Sequence, residues 1–470
     1  MHLSHRLPCL VLLLASLVIL SSPAQAGWRA GAAKVNITPS YPVRLSGYGS
    51  RTTEFEGVKA DIWVKVLALA WDDAPPVVVM TVDNVGVPFT VRDEVLAGLK
   101  DGHITTERLA ICSTHTHCAP MLKGNLANMF GVDLPADQQE RIDRYTKELT
   151  ASLIKAAHEA LAGMQPAVIS LAHGQVAFAH NRRLAVGPGY ANSPNPTGPT
   201  DHDLPVLKIA DEKGMVKAIF TSYACHCTTL GWNFIHPDWA GMAQAALEKA
   251  FPGAVALTAI GCGADQNPYP RHEEILAQLH GDTLAAEAVR LVKGYTMAAG
   301  DWKSGAQDLK PLQGPLSCGV RNITLSYDTL PTREQWEKQS AQGKTPHERH
   351  LAGMFLAMLA RNEPVPQELP YLVQAWTFGD GLAMVFLNGE VVVDYSLRLK
   401  KEYDPARMWV NSYSNNVPCY IPSERVLKEG GYEGAGAMIY YARPTKFAPG
   451  LEDKIIGAVH ELVPEGFKAK

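Results

Sequence analysis

Apolar, β-branched-rich runs that stop abruptly on small polar clusters recur along this chain, and no other feature restricts its fold as tightly. "DIWVKVLALAW" (61–71) and "PVVVMTVDN" (76–84) read as buried strands, and "RLAICS" (108–113) is a third that runs straight into "THTHCAP". "LPVLKIADEKGMVKAIFTSYACH" (204–226) predicts a hairpin turning at 211–214, whose second strand delivers His226. "FPGAVALTAIGCGADQNP" (251–268) and "GDGLAMVFLNGEVVVDYSLRLKKEY" (379–403) repeat the device, the latter ending its strand near Glu390 before a helix. "AAKVNITP" (32–39) adds a short strand near the start. Apolar residues at helical spacing (Ile142, Tyr145, Leu149, Leu153, Ala156, Ala160) predict a long amphipathic helix over 138–161, and "LEDKIIGAVHELV" (451–463) predicts a last one.

Strands alternating with helices point to the α/β class. In such folds catalytic groups gather where strands end, so the site is expected at the strand C-terminal ends. The Pro-, Gly- and Asn-rich segment 186–202 is expected to be an irregular excursion able to cover a substrate. No repeat, low-complexity tract or linker divides the rest. Residues 27–470 are therefore expected to form a single large mixed α/β catalytic domain.

The first 26 residues have a basic start (His5, Arg6), an apolar stretch from Leu7 to Leu20 and an A-x-A end at Ala24 and Ala26. This is the pattern of a cleaved secretory signal peptide, too short for a membrane span, and no later apolar run is long enough to be one. The expected location is secreted or periplasmic. Seven cysteines then remain, at 112, 118, 225, 227, 262, 318 and 419, and an oxidising compartment favours pairing among them; the alternative is that they are small buried residues. Net charge is -4, with Lys and Arg dispersed, so no electrostatic footprint for nucleic acid exists.

His115 and His117 in "STHTHCAP" are spaced so that an extended backbone points both imidazoles to one side. Alone, H-x-H also fits two polar residues that end a strand. "YACHCTTLGWNFIHPDWAG" (223–241) adds His226 at a second strand end, with His236 and Asp238 in the loop behind it, and "FLNGE" adds Glu390 at a third. Two imidazoles and a carboxylate with an open position form a common catalytic zinc set, in which the metal lowers the pKa of a water to about 7 and polarises a carbonyl. The same ligand types also take manganese or iron.

Together these segments resemble the neutral ceramidase family, zinc-dependent amidases that hydrolyse the N-acyl bond of ceramide. The resemblance runs to about Tyr440 and is carried by "GAAKVNITP…LSGYGSR", "STHTHCAP", "NRR" (181–183), "CHCTTL…HPDWAG", "NGE" (388–390) and "YIPSERVLKEGGYEGA" (420–435). It implies Zn²⁺ held by His115, His226, Glu390 and Tyr420. It also implies substrate contact or charge stabilisation by His117, Arg182 and Tyr432, and a ceramide-like lipid substrate that invites peripheral membrane contact.

Two departures stand out. Where the family's glycine-rich loop carries an aspartate and, two residues later, a reaction-centre serine, "GCGADQNP" has Ala264 and Gln266. Asp265 in the same loop is then a candidate general base. The family's further C-terminal domain is also expected to be absent. The sequence therefore reads as a secreted zinc hydrolase, probing an N-acyl amide first. The same centre could act on another ester, amide or glycosidic bond, or the scaffold could serve as a non-catalytic zinc-containing binding protein. A thiolate-metal or redox role for the cysteines fits no ribbon or finger spacing.

Overall fold

The computed structural model describes residues 27–298, 301–304 and 309–469; the signal-peptide segment lies outside them. Eight strands build the larger sheet: β1 (Trp28–Asn36), β2 (Trp63–Trp71), β3 (Val77–Val82), β4 (Leu109–Ser113), β5 (Gln165–Gln175), β6 (Asp203–Ala210), β7 (Val216–Tyr223) and β8 (Val255–Ile260). Their order is β8-β7-β6-β5-β1-β2-β3-β4, and the two-residue strand Lys310–Pro311 pairs with β5 as the ninth. A second sheet has the order β9 (Leu316–Ser326), β10 (Glu368–Phe378), β11 (Leu382–Leu387), β12 (Met408–Asn411).

Period-two alternation sorts each strand's side chains into two cores. In β2, Leu67 and Leu69 face one core, and Val64, Val66 and Ala68 face the other. The first core lies between the sheets, where Leu207, Phe220 and Leu257 meet Trp376, Phe386 and Trp409; the Phe220 and Trp409 rings stack at 4.9 Å. In the second core the sheets meet the helices, including Ala136–Ala162 and Leu451–Leu462, whose buried residues recur at helical spacing. Strands with both faces covered need near-continuous apolar sequence, which is why 61–71 and 76–84 do not alternate polar and apolar.

Within these two sheets most pairings are antiparallel, but three are parallel: β3 with β4, β7 with β8, and β11 with β12. Paired parallel strands end side by side, so each of these pairs releases two loops at the same place. The segment that follows β12 draws the three places together. Ser412 N–H donates to the Ile260 carbonyl at the end of β8, while the Tyr413 carbonyl accepts from Ser113 N–H at the end of β4. Asn415 N–H donates to Ile111 in β4.

The excursion at 186–202 is more ordered than its composition suggests: Arg183–Val186 and Gly189–Asn192 pair as an antiparallel hairpin. The turn at Gly187, with φ +56°, needs the left-handed conformation that glycine adopts freely. The cysteine expectation also changes, because all seven described cysteines are free thiols. Six are buried and the seventh, Cys318, is half-buried; they pack as small apolar groups.

Helix Ala136–Ala162 crosses β1 at Gly31, where a Cβ would lie 2.0 Å from the Ala160 carbonyl oxygen. Gly31→Ala is therefore expected to destabilise the protein by about 1–3 kcal/mol through overpacking. Gly457→Ala, in helix Leu451–Leu462 with nothing within 4 Å, is expected to stabilise it by about 1 kcal/mol. Chemical denaturation of the two variants beside the parent checks both signs.

Candidate metal centre

His115 follows β4, and His226 follows β7. Each imidazole is held through Nδ1 by a carbonyl from the loop after the neighbouring parallel strand. His115 Nδ1 lies 2.6 Å from the Val85 oxygen, beyond β3, and His226 Nδ1 lies 2.7 Å from the Gly263 oxygen, beyond β8. A carbonyl only accepts, so both Nδ1 atoms carry the proton and both Nε2 atoms present lone pairs. His115 sits at φ +59°, a strained backbone for a non-glycine residue, which turns its ring inward.

The two Nε2 atoms converge on Glu390, whose Oε2 lies 3.2 Å from His115 and 3.1 Å from His226. Glu390 follows β11 in the short strand Glu390–Val391, which pairs in parallel with Tyr420–Ile421. That pairing puts Tyr420 directly opposite Glu390, and its hydroxyl oxygen 3.2 Å from His226 Nε2. Gly389, at φ +79°, lies where a Cβ would strike the Cys419 carbonyl at 2.8 Å, so the approach of these strands requires glycine. His117 completes the cluster, with its Nε2 3.1 Å from that of His115. Ring nitrogens of His115, His117 and His226 all lie within 4.8 Å of one another.

Burial, followed by the Arg182 charge, pushes His226 down to about 3, and burial with the two neighbouring imidazoles holds His117 well below its ordinary value. Burial opposes the charge on Glu390, but His115 and His226 outweigh it and hold the carboxyl well below the usual range. Neutral imidazoles, an ionised carboxylate and a phenolic oxygen around one point are donors that suit a divalent cation such as zinc. The chemistry of the donor set fits the metal.

Arg182 braces the cluster from behind. Its Nη2 donates to the Tyr420 hydroxyl at 2.9 Å, Nη1 to Asn267 at 3.1 Å and Nε to Glu433 at 2.8 Å. Glu433 also accepts from Arg183 at 2.7 Å, and the two guanidinium groups hold its carboxyl low against the opposing effect of burial. Tyr432 stands at the rim, 38% exposed, with its ring 5.3 Å from that of Tyr420.

Asp265 and Gln266 are in the same region but are tied into the scaffold. Asp265 accepts from Val393 N–H at 2.9 Å and from Asn181 Nδ2 at 3.1 Å, and its own carbonyl accepts from Arg182 N–H at 2.8 Å. Gln266 donates to the Ala224 and Cys262 carbonyls and accepts from Asp201 N–H. Neither lines the cavity above the imidazoles. His236 and Asp238 likewise stay in their loop: His236 Nδ1 accepts from Asp238 N–H at 2.9 Å, while the Asp238 carboxylate accepts from Leu230 and Trp239. Trp239 Nε1 donates to the His226 carbonyl at 2.8 Å, so this loop positions His226 from outside the cluster.

Sequence reasoning missed Tyr413, Tyr441 and Glu433. The Tyr441 hydroxyl donates to Glu390 Oε1, and the Tyr413 ring lies tilted against His115 at 4.3 Å with its hydroxyl 3.5 Å from Glu390 Oε2. Only Glu433 carried a signal, inside the YEGA element. The cavity has a volume of about 180 Å³ and is lined by His115, His117, Glu390 and Tyr420, with Leu126, Met129 and Tyr440 among the other lining residues.

Residues 28–301, more than half of the chain, match the family profile described as neutral/alkaline non-lysosomal ceramidase, N-terminal. Among solved structures, a neutral ceramidase from Pseudomonas aeruginosa superposes with a TM-score of 0.66 at 18% identity, over 89% of this chain and 72% of that one. A ceramidase complexed with C2 superposes at 0.64 and 16% identity, over 89% and 73%. A search of curated proteins found no matching relative.

Burial pushes the Asp265 carboxyl up to about 7 from its ordinary 3.8. The native state then binds a proton that the unfolded chain releases, so this contribution to stability is complete below about pH 3.8 and is lost as pH rises through 7. Thermal melts between pH 4 and 8 should show this decline in the parent and a flatter profile in Asp265→Asn. Parallel profiles would exclude Asp265 as its source.

Proposed function

The chain belongs to the neutral/alkaline non-lysosomal ceramidase family, and from that premise we propose that it is a zinc-dependent amidohydrolase that cleaves an N-acyl amide, with ceramide as the reference substrate. The convergence of His115 and His226 Nε2, Glu390 Oε2 and the Tyr420 hydroxyl on one point carries this reading. Zinc bound there would supply a Lewis acid for the scissile carbonyl and an acidified water as nucleophile. His115, His226, Glu390 and Tyr420 are the proposed ligands. His117, half-buried where the others are buried, is assigned to the substrate side.

The side chains divide the remaining work. His117 and Tyr432 line the cavity where a tetrahedral oxyanion would need donors, and Arg182 orients the Tyr420 hydroxyl from behind. Tyr441 and Tyr413 hold the Glu390 carboxylate in place, as outer-shell partners of metal ligands do. The acyl chain lies along Leu126, Met129 and Tyr440. Gln266 occupies the family's serine position but is consumed in structural hydrogen bonds, so the nucleophile in this reading is water. The signal-peptide pattern of the N-terminal 26 residues supports a mature enzyme that works in the periplasm or outside the cell and meets lipid as a peripheral protein.

Fatty-acid release from a fluorescent N-acylsphingosine tests the reading. Substitutions His226→Ala and Glu390→Gln are each expected to cut zinc content well below one ion per chain and to slow release by at least about 100-fold. Stoichiometric zinc with full activity in either variant would overturn the site. Stoichiometric zinc in an inactive parent would move the substrate to another ester, amide or glycosidic conjugate.

A further inference from the structure

Arg182, which donates to the Tyr420 hydroxyl, also lines a second cavity, of about 390 Å³. One side of Arg182 touches Tyr420, which lines the first cavity, and its Nη1 and Asn267 belong to the second. Arg182 has its charge answered by Glu433, and Arg183 behind it by Glu433 and Glu429. Arg271 is different. It lines the second cavity, is half-buried, and its Nε is shielded from solvent without a hydrogen-bond partner. No carboxylate among the described residues lines this cavity.

The surrounding groups are donors or amphoteric. His180 uses Nδ1 on the Phe178 carbonyl, leaving Nε2 toward other partners, and Ser193 brings a hydroxyl. His272 is set at φ +90°, with its N–H donating to the Thr229 carbonyl at 2.6 Å, and its side chain stays exposed at the mouth. A non-glycine residue at that φ is strained, and such strain recurs at ligand sites. A half-buried guanidinium with unused donors is costly to keep without an anion opposite it, and its planar fork matches carboxylate and phosphate oxygens.

We propose that this second cavity is an anion subsite, in which Arg271 binds a carboxylate or phosphate carried on the amine half of the amide substrate. This deepens the hydrolase reading and rests on it for the word substrate. The preferred class is then an acidic N-acyl conjugate, with its acyl chain by Leu126 and Met129, its amide at the imidazole cluster and its anion past Arg182 at Arg271. A neutral ceramide would leave the guanidinium unmatched.

The test separates binding from turnover. Calorimetric titration of the zinc-loaded mature protein would use N-dodecanoylglycine, N-dodecanoyl-O-phosphoethanolamine and the neutral N-dodecanoylethanolamine. At least one anionic amide is expected to bind about tenfold or more tighter than the neutral one, as charge-assisted bidentate bonds allow. The better of the two identifies the anion. Arg271→Gln should bring that ratio to near one, and Arg271→Lys, which keeps the charge without the fork, should keep part of it. Equal affinities in the parent, or a preference that Arg271→Gln retains, would overturn the subsite. Hydrolysis of the neutral amide by the parent reports on the metal centre separately, so failure of the subsite is distinguishable from failure of the hydrolase.

Discussion

Two hydrogen bonds that imidazole Nδ1–H groups donate to backbone carbonyls, His115 to Val85 and His226 to Gly263, are the constraint on which the site depends. Each fixes a tautomer and a ring orientation, and together they point two Nε2 lone pairs at one place. They exist because β3 and β4, and β7 and β8, run parallel and end level. A strand that delivers a histidine therefore always has beside it a loop able to hold that histidine. The parallel β11 and β12 supply the third donor in the same way, with Glu390 beyond one strand and Tyr413 beyond the other. An antiparallel partner would have sent its loop to the opposite end of the sheet.

Charge is handled as strictly as geometry. Around the buried Arg182 and Arg183, Glu433 accepts from both, so that the guanidinium groups can stand behind Tyr420 without an uncompensated charge in the interior. Glu390 accepts from the Tyr441 hydroxyl on one oxygen and turns the other toward the two imidazole Nε2 atoms. Asp265 is the contrasting case, a buried carboxyl with neutral donors and no ion-pair partner among the described residues, and burial raises its pKa. Its bonds to Asn181 and to the start of helix Asp394–Glu402, and its carbonyl on Arg182, join three segments that otherwise approach the centre separately.

The buried strands and the long helix were legible because apolar runs and helical spacing are local properties; the helix expected over 138–161 spans Ala136–Ala162. The hairpin at 183–192 was hidden by Pro and Gly, which mark turns but also occur in tight hairpins. For the cysteines, compartment suggested pairing, whereas the free thiols follow from where the strands carry each residue. In the site, residues that end strands were recognisable as donors. Those that only support donors, Tyr413 and Tyr441, carry no local pattern and were not. Asp265 and Gln266 showed the reverse, polar loop residues with a chemical look whose side chains are spent on backbone groups.

The sequence alone determined the class of fold, the family resemblance and the donors that gather, because strand propensity, apolar periodicity and residue type are written residue by residue. Only the tertiary structure decided which strands run parallel, and hence that His115, His226, Glu390 and Tyr420 face one point while Asp265 and Gln266 turn into the scaffold. It alone left Arg271 beside a cavity that no carboxylate among the described residues lines. Strand direction depends on pairings between segments tens of positions apart, and the pairing of the buried charges on contacts such as Arg182 with Glu433, more than two hundred positions apart, and no local pattern encodes those.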